Sequence, residues 1–171
     1  MDERIQSILP PPVDPPTGVL DGLEEITAAM GTDLPRDYLD FMRIYGRGEI
    51  DGAIGIVTPA EIPQGLDYLR VLFAELVATT PGYSDIRLFP EEQGLIWWGA
   101  GPSRERWYWK VVGHPDTWGV VVEDPDARPV TWTQYQMTLT GYLSAMLSGE
   151  LSDSISSEWA SGPHDWEQLD F

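Results

Sequence analysis

The chain has 171 residues, 42% of them hydrophobic and 11% aromatic, enough to bury a core unaided; it has no cysteine, which excludes a disulfide framework and any thiolate site. With 28 acidic against 10 basic residues the net charge is −18, which repels phosphate backbones and anionic lipid headgroups and draws in basic partners. Met1-Asp2-Glu3-Arg4 runs into prolines rather than an apolar signal core, and no apolar run approaches the roughly 20 residues that span a bilayer, so a cytoplasmic chain is expected.

Pro10-Pro11-Pro12-Val13-Asp14-Pro15-Pro16 reads as an extended spacer that sets residues 1–16 apart from a domain starting near Thr17. Leu20, Leu23, Ile26 and Met30 recur at helical spacing, with Gly31 as the stop. A second helix enters at Leu34-Pro35, lines one face with Tyr38, Phe41, Met42 and Tyr45, and closes at Gly46. Ile50 to Val57 reads as a strand. Thr58-Pro59-Ala60-Glu61 has a capping-box pattern at a helix start, and Leu66, Leu69, Phe73, Leu76 and Val77 continue a buried stripe beyond an interruption at Pro63 and Gly65.

The middle is strand-rich: Ile86 to Phe89, Leu95 to Trp98, Arg106 to Val112, Trp118 to Glu123 and a short run from Val130 to Thr133. Thr138 caps a last helix carrying Leu139, Tyr142, Leu143, Met146 and Leu147. Residues 151–171 read as an acidic tail, tethered by Trp159, Trp166 or Phe171. This order predicts an α+β domain over residues 17–150: N-terminal helices, a central, largely antiparallel twisted sheet of about five to six strands, and a C-terminal helix. Adjacent Trp97 and Trp98 must point to opposite faces of that sheet, which leaves one free to serve as a binding anchor.

Signatures of catalysis are missing from the sequence. It has no Gly-x-Ser-x-Gly elbow, no phosphate-binding loop and no His-Glu-x-x-His pair, and Gly46-x-Gly48-x-x-x-Gly52 has the wrong spacing for a dinucleotide site. His114-Pro115-Asp116 lies between two strands, the setting of a turn rather than of a catalytic dyad. Asp124-Pro125-Asp126 resembles the start of a calcium loop, but Arg128 and Tyr135 stand where that loop needs oxygen ligands. No catalytic residue, cofactor or metal is expected.

Taken in order, the motifs resemble the SUKH superfamily, which includes the cell-wall-assembly regulator domain of fungi and many bacterial immunity proteins. The resemblance is carried by Leu34-Pro35 with Tyr38, Phe41 and Tyr45-Gly46-x-Gly48; Ile56 with Thr58-Pro59-x-Glu61; Gly94-Leu95-x-Trp97-Trp98-Gly99; Trp107-x-Trp109; Pro115-Asp116-x-Trp118; and the helix from Thr138 to Leu147. In place of the acidic, Gly-rich turn of many relatives stands Ala100-Gly101-Pro102-Ser103-Arg104. The resemblance implies a non-enzymatic protein that neutralises a cognate toxin, often a nuclease; the fungal relatives imply instead a regulatory adaptor or scaffold. Under either reading the charge of −18 leads us to expect no direct binding of nucleic acid or membrane. For a basic toxin the candidate charges are Glu49, Asp51, Glu91, Glu92, Asp116, Asp124 and Asp126, and the candidate anchors Trp97 and Trp118.

Overall fold

The computed structural model describes residues 1–14, 16–160 and 162–169. Seven antiparallel strands form one sheet: β1 (Gly48–Ile50), β2 (Ile54–Ile56), β3 (Leu95–Ala100), β4 (Arg106–Lys110), β5 (Gly119–Asp124), β6 (Thr131–Tyr135) and β7 (Trp166–Gln168). They lie in the order β6-β5-β4-β3-β2-β1-β7. The helices are α1 (Ile5–Ile8), α2 (Leu23–Met30), α3 (Arg36–Tyr45), α4 (Ile62–Thr79), α5 (Leu139–Leu147) and α6 (Ser154–Glu158). The protein is α+β, with a larger sheet than expected. Asp51 and Gly52, both at positive φ (55° and 61°), fold the expected strand Ile50 to Val57 into the β1–β2 hairpin, as Asp-Gly pairs favour. The stretch Ile86 to Phe89 forms no strand, only a bridge from Leu88 to Leu95.

Period-two alternation sorts the strand residues onto two faces. The inner face presents Ile50, Ile54, Ile96, Trp98, Trp107, Trp109, Val120 and Val122, and packs into one core with α1, α3 and α5. The outer face presents Leu95, Tyr108 and Val121 to Leu69 and Phe73 of α4 and to Tyr83 and Leu88 of the following loop. Pro63 and Gly65 do not break α4: Pro63 occupies the first turn, where no amide bond is lost, and Gly65 receives the Trp97 ring, from which an added Cβ would lie 2.5 Å. Among the described residues no helix is long and apolar enough to cross a membrane.

Both ends of the chain belong to the inner layer, which corrects the expectation of a detached first segment and a loose tail. Ile5 and Leu9, one helical turn apart, are fully buried where α1 meets α5, and the Leu9 carbonyl accepts from the Tyr45 hydroxyl at 2.7 Å. At the other end Asp153 caps α6 by accepting from the Ser156 amide at 3.0 Å, and β7 pairs with β1. The Trp166 ring meets Phe41 and Tyr45 edge-on at 5.5 and 5.4 Å, and its Nε1 donates to the Tyr45 carbonyl at 2.8 Å. Gly48 makes that closure possible, since a Cβ there would stand 2.6 Å from the Trp166 ring. Phe171, the third expected tether, lies outside the described residues.

Two buried acids need separate accounts. Glu123 of β5 is fully buried on the outer face; it accepts from the Tyr83 hydroxyl, from the Tyr108 hydroxyl at 2.5 Å and from Arg106 Nη1 at 3.2 Å, so both oxygens are satisfied. Glu105, 1% exposed, keeps Oε2 without a partner among the described residues. Burial pushes its carboxyl above the ordinary value; the amides of Glu105 and Ser103 oppose the shift, and the charges of Glu158 and Asp126 add to it. A raised carboxyl favours folding below its unfolded value of 4.5 and loses that contribution as pH climbs through the folded value. Glu105→Gln is therefore expected to melt above the parent at neutral pH, by about 1–3 kcal/mol of stability, and to converge with it in acid. Thermal melts across pH check this, and a difference independent of pH would contradict it.

Candidate partner-binding surface

α4 packs along β3, and beyond it the outer face of the sheet continues across β2 and β1 as an open groove that reaches Leu169, just past β7. Register fixes what faces outward there. Ala100 stands opposite Gly55, Gly55 opposite Glu49, and Glu49 opposite Glu167, so one row runs from a small-residue floor to two glutamates. Two like charges directly opposed across strands destabilise a sheet, and neither carboxylate makes a hydrogen bond or ion pair among the described residues.

The walls of the groove are held rigidly. Glu61 reaches back to the Thr58 amide and hydroxyl, both at 2.9 Å, as the capping box requires, while its other oxygen takes Arg47 Nε at 3.2 Å. Opposite stands Trp97, half-buried, its ring on Gly65 and its Nε1 donating to the Gly99 carbonyl at 2.7 Å. Alternation turns Trp98 into the core while Trp97 faces the groove, and the bulge between Trp97 and Gly99 brings Ala100 onto the outer face as well. The cavity is about 180 Å³, below the few hundred Å³ of a drug-sized ligand site, and it suits one projecting side chain of a macromolecule.

Of the residues singled out from sequence, this groove unites Glu49 and Trp97 only. Trp118 is corrected from anchor to core: it is 2% exposed, packs on Trp109 with ring centroids 6.3 Å apart, and donates to the Gly113 carbonyl at 3.3 Å. Three acids are engaged within the fold. Asp51 Oδ2 lies 2.7 Å from His164 Nδ1, and its Oδ1 accepts from the Asp165 amide at 2.9 Å; burial would raise its carboxyl, but these bonds outweigh burial and hold it low. Asp116 accepts from the Arg36 amide at 2.8 Å, and Asp124 from the amides of Asp126 and Ala127 and the Ser154 hydroxyl. Asp126 and Glu91 form exposed ion pairs with Arg104 and Arg87 at 3.0 and 3.6 Å, and Glu92 is exposed on the turn before β3.

Comparison with protein-family models, curated proteins and solved structures finds no match. The resemblance stated above rests on the ordered motifs alone. In the fold those motifs are largely interior: the Trp98 ring centroid lies 6.2 Å from that of Trp107 and 6.1 Å from that of Trp109, and Tyr38 meets Trp109 edge-on at 4.9 Å. Sequence reasoning missed Glu167, because Trp166-Glu167-Gln168 is too short for alternation to register. It also missed the Gly55 and Ala100 floor, whose small side chains carry meaning only once the strands are paired.

Proposed function

We propose that this chain is a non-enzymatic, cytoplasmic immunity protein that neutralises a cognate basic toxin by direct binding. The observation that carries this reading is the unpaired Glu49 in an open groove with the half-buried Trp97, with the unpaired Glu167 opposite Glu49 on the neighbouring strand. Unpaired carboxylates on neighbouring strands favour an incoming Lys or Arg, and the Trp97 ring offers a face on which its stem and charge can rest. The ordered SUKH-like motifs and the charge of −18 support the same reading.

The test is stopped-flow binding to the toxin encoded by the neighbouring gene. Association is expected to slow by about tenfold as salt rises from low values past physiological strength, where the screening length is about 8 Å. Glu49→Gln with Glu167→Gln is expected to slow association while leaving the melting temperature equal or higher, because the substitution also relieves the repulsion. Stability and binding moving in opposite directions would mark the pair as an interaction site. Association indifferent to both salt and the double substitution would refute the reading, and a neighbouring gene encoding no toxin would favour the adaptor role.

A further inference from the structure

We propose that the cavity between the outer face of β4–β6 and the loop of residues 85–93 binds a small zwitterion with an apolar body, an α-amino acid such as leucine or phenylalanine. The cavity has a volume of about 340 Å³, within the range of small-ligand sites, and shares no residue with the groove at Trp97.

Unpaired charges of both signs line it. Lys110, the sole lysine of the chain, is half-buried at the end of β4, and among the described residues its Nζ donates only to Gln134 Oε1, at 3.4 Å. Arginines such as Arg36, Arg104 and Arg106 each reach a carboxylate instead. Asp85 and Glu92 of the loop line the same space, and neither forms a hydrogen bond or ion pair among the described residues. Arg87, the other charged residue of the lining, is paired with Glu91 at 3.6 Å. A ligand carrying both signs can therefore satisfy Lys110 and the loop carboxylates together.

The apolar floor comes from Leu95, Val121 and the Trp132 ring. That ring is held in place, since its Nε1 donates to the Gly82 carbonyl at 2.9 Å and Phe73 and Tyr83 meet it edge-on at 6.0 and 5.5 Å. Gln93 of the lining sits at a φ of 57°, a left-handed backbone that glycine adopts without strain. An amide side chain, able to donate and to accept, is kept there in spite of that cost.

Net charge selects the class of ligand. A simple anion drawn to Lys110 is held off by the −18 of the chain, and a simple cation finds many other surface carboxylates as attractive as Asp85 and Glu92. A zwitterion is neutral overall, so the field does not repel it, and only a space lined by unpaired charges of both signs singles it out.

Amide NMR titration of the full chain with L-leucine and with L-phenylalanine tests the proposal. The expected result is a saturable shift of resonances around Lys110, Trp132 and Gln134 at ligand concentrations below about 10 mM, an affinity open to so few atoms. N-acetyl-leucine lacks the ammonium and leucinamide lacks the carboxylate, and each is expected to bind about tenfold more weakly, the equivalent of one charge-assisted bond. Lys110→Gln should lower leucine binding to the level of leucinamide, and Asp85→Asn with Glu92→Gln to the level of N-acetyl-leucine, with the spectra confirming the fold. If one variant fails to fold, the other and the two analogues on the parent chain supply the readout. No saturable shift with either amino acid would overturn the proposal. So would leucinamide bound as tightly as leucine, which would reduce the effect to attraction of a cation by an acidic surface.

Discussion

Removal of residues 1–9 is expected to lower the unfolding free energy by about 4 kcal/mol or more, since Ile5 and Leu9 are both fully buried and each Ile or Leu lost from a core costs about 2–5 kcal/mol. That is a large part of the roughly 5–15 kcal/mol by which a domain is stable. Leu9 matters twice: its side chain fills the space under α5, and its carbonyl satisfies the buried Tyr45 hydroxyl, which burial pushes up to about 12 and so keeps protonated as a donor. Leu9→Ala tests the side chain alone and should give roughly half the loss. Urea denaturation with an unchanged slope measures both. A truncated chain with the parent's midpoint would mean that α1 is not part of the folded core.

The second large effect belongs to the buried quartet of Arg106, Glu123, Tyr83 and Tyr108. Arg106→Met removes the only cation that, among the described residues, pairs with the buried Glu123, and is expected to cost about 3–5 kcal/mol, because a buried charge stripped of its partner loses attraction without regaining water. Burial drives both tyrosine hydroxyls upward, so they remain donors to Glu123 but bring no compensating charge. Replacing the whole set, with Arg106→Met, Glu123→Leu, Tyr83→Phe and Tyr108→Phe together, should recover most of the loss, as apolar replacement of a complete buried ionic group usually does. Chemical denaturation of the single and quadruple variants decides the matter. A quadruple variant no better than Arg106→Met would show that the quartet contributes net stability.

Much of the fold was legible because its signals were local. The helix over Tyr38 to Tyr45, the capping box at Thr58 and Glu61, the Thr138 cap and the strands around Trp107 to Trp109 and Val120 to Val122 are each written in a few adjacent residues. The opposite facing of Trp97 and Trp98 followed from alternation, even though a bulge intervenes. What escaped was set at a distance. Nothing near Ile5 or Leu9 reveals that α5 will cover them, and nothing near Trp166 shows that Gly48, far back in the chain, leaves room for its ring. The site was harder still. Asp51, Asp116 and Asp124 look like free surface acids in the sequence and prove to hold turns and chain ends in place, whereas Glu167 acquires meaning only opposite Glu49.

The place of β7 beside β1 governs the order in which the protein can be made. β1 leaves the ribosome before the other six strands and β7 after them, so the inner layer has no Trp166 against Phe41 and Tyr45 until β7 has been made. α1, made before α5, must likewise wait for it before Ile5 and Leu9 are covered. Contacts so distant in sequence close slowly, because the entropy of the intervening loops is lost before the contacts repay it. The core is thus closed by the strand made last of the seven, and until then the β1 edge, with the bare Gly48, stays exposed in the nascent protein.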